Sequence, residues 1–102
     1  MGDSIKAKQA FETSLQFSPG QPSVMIALGV IDEREGDVSE AVRQFSHAMA
    51  LQPTDVGYLL LAHAFQQEGL TNEANAALER AAQLSRNLPQ AQMQSESLLA
   101  GK

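Results

Sequence analysis

The sequence predicts an all-α protein built as a stack of antiparallel helix hairpins. Three observations lead there. First, a small–large–Pro punctuation recurs: Ala7-Phe11-Pro19, Ala41-Phe45-Pro53, then Ala74-Leu78, at intervals of 34 and 33 residues. Second, glycine keeps the same beat at Gly2, Gly36 and Gly69. Third, Ala, Leu, Gln and Glu, all good helix formers, are plentiful, and β-branched residues never alternate over a strand-length run. A period of 33–34 residues marks helical units that bury their faces on one another rather than around one central core.

Six helices are expected. The first spans about Ser4 to Phe17, with Ala7, Ala10, Phe11 and Leu15 at helical spacing, and Ser18-Pro19-Gly20-Gln21-Pro22 stops it. The second runs from about Ser23, taken as its N-cap, to Arg34. Glu35-Gly36-Asp37 is a tight turn, because Gly36 accepts the left-handed conformation that ends a helix. Asp37 and Glu40 have capping-box spacing and open the third helix, about Val38 to Leu51. The fourth covers about Asp55 to Glu68, and Gly69 closes it. The fifth covers about Thr71 to Ser85. The last begins at Pro89 and ends near Leu99; its Gln and Ser residues read as a polar cap with Met93 and Leu98 turned inward.

Composition excludes several roles. The net charge is −5 and no basic stripe exists, Lys6 and Lys8 being the only close lysine pair. This argues against a nucleic-acid or anionic-membrane partner, each of which needs clustered cations. The longest near-apolar stretch, 56–65, is far too short to span a bilayer, and the first residues lack a signal-peptide pattern, so the cytoplasm is the default location. There is no cysteine, hence no disulfide or thiolate metal site. His47 and His63 have no partner at metal-ligand spacing, and no phosphate loop, nucleophile elbow or isolated carboxylate pair occurs. We expect no enzyme, no metal and no cofactor. The acidic run 32–37 reads as a solvated helix end rather than a calcium loop.

The repeat units resemble the tetratricopeptide repeat family. Met25-x-x-Leu28-Gly29-x-x-Asp32 precedes Gly36, Ala41, Phe45, Ala48 and Pro53; Tyr58-x-x-Leu61-Ala62-x-x-Phe65 precedes Gly69, Ala74, Leu78 and Ala81. The resemblance covers roughly residues 2 to 85. It implies a right-handed superhelical stack forming one domain over 1–102. Residues 2–20 would be the second helix of an incomplete repeat, 22–54 and 55–88 repeats, and 89–100 a capping helix. Asp32 departs from the pattern by replacing an aromatic, which would leave that contact thin or open to solvent. The second repeat also lacks its final Pro, Arg86 standing there.

The resemblance further implies a scaffold that binds a protein or peptide in a concave groove lined by the first helix of each pair. By repeat position the groove residues would be Ile26, Val30, Glu33, Leu59, Leu60, His63 and Gln67, flanked by Ser23, Arg34 and Val56. These include no cationic clamp for a terminal carboxylate, so an apolar peptide or amphipathic helix fits better, at micromolar affinity. The alternative is that Ile26, Val30, Leu59 and Leu60 are packed core, against the chain's own helices or a sister subunit. His63 reads either as a pH-sensitive contact or as an inert histidine at the core edge. Because Ala7, Phe11 and Leu15 face no preceding helix, the expectation is either a piece of a longer array or a chain that borrows its neighbour from another subunit; homo-oligomerisation through the incomplete repeat is the second functional reading, against a first helix that acts only as a cap.

Overall fold

The structure, a computed structural model, describes residues 2–101. Six helices follow one another: α1 (Gly2–Phe17), α2 (Pro22–Arg34), α3 (Val38–Leu51), α4 (Asp55–Gln67), α5 (Thr71–Leu84) and α6 (Leu88–Ala100). There is no strand among the described residues, and no helix is long and apolar enough to cross a membrane. Helices α2 and α3 pair through a three-residue turn, as do α4 and α5, and the two pairs lie side by side through α3 and α4.

The two turns share one design. Gly36 and Gly69 have φ of +87° and +76°, the region where a Cβ is strained. Each forms the double hydrogen-bond closure of a helix C-terminus. Asp37 N–H donates to the Asp32 carbonyl at 2.8 Å and Gly36 N–H to that of Glu33 at 3.0 Å. Leu70 and Gly69 do the same to Phe65 and Gln66, at 2.9 and 3.0 Å.

Helix starts follow local chemistry, with two departures from expectation. Thr54 Oγ1 accepts from Gly57 N–H at 3.0 Å, and Asn87 Oδ1 from Gln90 N–H at 3.2 Å. Ser23 is not the cap of α2: the helix begins at Pro22, whose preset φ and missing N–H suit a first-turn position, and Gln21 precedes it. At α3 only half of the capping box forms. Asp37 Oδ1 accepts from Glu40 N–H at 3.4 Å, while the Glu40 carboxylate turns to Arg43, which holds its pKa below the ordinary range.

Small residues set the helix spacing and large ones fill it. Phe45 is fully buried, together with Ala41, Leu60 and Ala64, in a cluster joining the two hairpins. Gly29 is the seat of that ring: a Cβ there would stand 2.5 Å from Phe45 Cε1. Gly57 plays the same part against the Met49 methyl.

Two elements depart from a uniform stack. Helix α1 packs on α2 and leaves Phe17 and Ile5 exposed. Helix α6 meets α5 at its edge, near Leu78 and Ala81; it lies along α4 and reaches α2. Met93 does not turn inward, being 70% exposed, and Leu98, 41% exposed, borders an open groove rather than packing in the core. Ala91 and Ser95 are buried instead and Leu99 is half-buried. For Met93 the reason is phase: residues four apart share a helix face, whereas position 93 lies two residues from both 91 and 95, nearly opposite them.

Candidate functional site

The first helices of the two pairs, α2 and α4, present neighbouring faces that form a trough, and α6 lies in it. At one end Leu88 and Ala91 pack with Leu59 and Ala81. In the middle Ser95 borders a cleft of about 230 Å³ with Leu59, Ala62, His63 and Leu99. At the other end Leu98 and Gly101 meet Val30 and Arg34. The Arg34 guanidinium stands 2.9 Å from where a Cβ on Gly101 would be, so a cation sits at the negative end of the α6 dipole.

The helix does not fill the trough. An open groove of about 400 Å³ remains between α1, α2 and the end of α6, walled by Phe11, Ile26, Val30, Ile31 and Leu98, with Arg34 at its rim. The side chains α6 buries, Ala91 and Ser95, are small, whereas the floor carries Val30 and Leu59.

The residues expected in a groove are placed unequally. Val30 and Leu59 are buried in the trough floor, Ile26 and His63 are half-buried along it, and Glu33 is buried between the two first helices. Leu60 belongs elsewhere: it is fully buried with Phe45 and Ala41, on a face of α4 turned away from the trough. Leu59 and Leu60 are 100° apart on the helix, so one leucine faces the trough and the other the inter-hairpin core. Gln67 is exposed near the end of α4, and Gln66 borders the trough in its stead. The role of α6 as occupant left no signal in the repeat pattern, since Ala91, Ser95 and Leu99 fall outside the repeats.

Two buried carboxylates lie at the end of α2. Glu33 Oε2 accepts from His63 Nδ1–H at 2.9 Å, tying α2 to α4. Its side chain is 4% exposed, and its Oε1 has no hydrogen-bond partner among the described residues. Burial pushes the Glu33 pKa up, and the neighbouring imidazole only partly offsets this. Asp32, at the position expected to be thin or open, is instead 1% exposed and paired with α1: Lys8 Nζ is 2.9 Å from Oδ1 and 3.5 Å from Glu35 Oε1. Burial outweighs Lys8 and raises the Asp32 pKa, while the hydrogen bond to Asp32 raises that of Lys8. The ion pair takes the place of the aromatic contact. The signal was available in the sequence: an acid at an aromatic position, and a lysine on the helix that packs there.

Both carboxylates are more easily protonated folded than unfolded. Their share of the stability is therefore complete below their ordinary values of 3.8 and 4.5 and declines as pH rises through the raised ones. Glu33→Gln keeps an acceptor for His63 and removes the buried charge; it should raise the thermal midpoint at pH 7 by a few degrees and leave it unchanged at pH 4. Melting curves at the two values check this.

Among the described residues no group of three or more His, Asp or Glu is placed to hold a metal. Paired helices whose first members form an apolar trough define a helical-repeat scaffold. Residues 57–88 match the family described as Tetratricopeptide repeat. That match is to one repeat unit, α4 with α5, and a repeat of this kind suggests a protein–protein interaction module. No curated protein matches the chain.

Proposed function

We propose that this chain docks an amphipathic helix of a partner protein in the trough of α2 and α4, in the place α6 takes in this structure. The observation that carries the reading is the seat of α6 itself. A helix already lies there, on a floor of Val30, Leu59 and Ala62, and open grooves remain on both sides of it. Its small buried side chains leave room for a helix with larger apolar residues at the same spacing, which would bury more area and displace it.

Ala91→Glu tests this. Ala91 is 3% exposed against Leu59 and Ala81, so a carboxylate there drives α6 out while the two hairpins stay paired. The probe is a labelled synthetic peptide with the sequence of residues 87–101. The variant should keep most of its helical circular dichroism and bind the peptide with a Kd of about 100 μM. The unsubstituted chain should bind at least about tenfold more weakly, because its own α6 competes at high effective concentration. A folded variant that ignores the peptide would end the reading.

A second reading, self-association through α1, draws on Phe17 and Ile5, which are 85% and 56% exposed on a helix packed on α2. Light scattering over a dilution series decides it. A dimer that Phe17→Glu converts to monomer supports it, and a monomer throughout refutes it.

A further inference from the structure

We infer that Glu33 selects the partner: the helix that docks in the trough carries a lysine or arginine at the position Leu99 holds in α6, and this cation takes the carboxylate oxygen that α6 leaves unpaired. The inference rests on the trough being a helix-binding surface and adds the chemistry of the occupant.

Four observations carry it. The Glu33 side chain is nine-tenths or more buried on α2, one turn beyond Val30, and His63 of α4 satisfies only Oε2. The second oxygen, Oε1, is buried without a partner. A charged group in that state is costly, and removing such a cost is what a correct ligand can do that a wrong one cannot. The last turn of α6 brings two leucines to this end of the trough: Leu98 borders the groove of Val30 and Arg34, and Leu99 the cleft containing His63. Neither leucine can donate a hydrogen bond, so the helix now in the trough leaves the carboxylate as it is.

The same placement favours one register. The Leu98 position shares its groove with the Arg34 guanidinium, which repels a cation, whereas the Leu99 position borders the same cleft as His63, the partner of Glu33. A lysine or arginine stem can cover the apolar surface Leu99 covers and extend its head to the oxygen. The net charge of −5 favours a basic partner during the encounter as well.

The test uses the Ala91→Glu chain with and without Glu33→Gln, and three peptides with the sequence of residues 87–101: the parent, Leu99→Lys and Leu99→Gln. The lysine peptide should bind about tenfold tighter than the glutamine peptide when Glu33 is present, and within about twofold when it is Gln. Parent binding with no lysine preference overturns the inference and leaves the trough intact as a docking surface. A preference that survives Glu33→Gln also overturns it, by showing attraction to the acidic chain as a whole. If no peptide binds, the trough reading fails and this inference with it. Should Ala91→Glu not fold, the comparison moves into the otherwise unsubstituted chain. There Leu99→Lys should melt several degrees above Leu99→Gln, and Glu33→Gln should abolish the difference; equal melting points would refute the inference.

Discussion

Phe45→Ala should cost about 3–5 kcal/mol and leave the chain largely unfolded at 37 °C. The ring is fully buried at the junction of the two hairpins, in one cluster with Leu60, Ala41 and Ala64. It rests on the bare backbone of Gly29, so α2 and α3 can approach closely only because one has lost a side chain where the other supplies a ring. Removing the ring leaves a void with walls that cannot collapse, since helix spacing is already set by glycine and alanine. A domain of this size has roughly 5–15 kcal/mol in total, and each hairpin is stable only through its neighbours. At about 4–8 °C per kcal/mol the thermal midpoint should fall by well over 10 °C, read by circular dichroism. A loss under about 1 kcal/mol would mean that the hairpins are held together elsewhere. Gly29→Val applies the opposite stress at the same contact and should also destabilise, because the new Cβ enters the ring itself.

Lys8→Met should cost about 2 kcal/mol at pH 7, and the loss should shrink as the pH is lowered. Asp32 is 1% exposed and Lys8 is its only cationic contact among the described residues. Taking the cation away leaves a carboxylate shut off from water. Breaking a fully buried pair costs about 3–5 kcal/mol, and the smaller figure reflects that the lysine side chain is 29% exposed and partly screened. The direction with pH follows from Asp32 already having a raised pKa: without Lys8 it rises further, and protonation removes the penalty. The deficit should therefore be largest at neutral pH and nearly absent at pH 4. Lys8→Met with Asp32→Leu should restore most of the stability, since an apolar residue suits the position where an aromatic is usual in this family. A single variant that loses nothing, or loses equally at both pH values, would show that the pair does not hold α1 to α2.

The hairpin architecture was legible because its causes are local. Gly36 and Gly69 adopt the left-handed conformation that their places after a helical run imply, and Ala41, Phe45 and Leu60 pack as the small–large spacing requires. Each follows from the chain neighbours of the residue concerned: a helix that must end, a face that must be apolar. The site was only half legible for the same reason. The resemblance to tetratricopeptide repeats put Leu59 and Leu60 together in one groove, and the two are separated in space by the neighbours each faces, α6 for one and Phe45 of α3 for the other. It placed Glu33 and Val30 on a groove but carried no information about what lies over them. It also made Asp32 a gap, because the lysine that fills the gap comes from another unit 24 positions earlier.

The amino-acid order by itself determined the helices, their ends and their pairing, since repeated short-range patterns encode all three. Only the tertiary structure decided that the last helix lies across α4 and α2 and that two acids are buried, one bound to Lys8 and one left with an open oxygen. Those outcomes depend on which surfaces remain uncovered once the hairpins have stacked. Burial and charge pairing between distant segments are properties of that packed arrangement, and no short stretch of chain contains them.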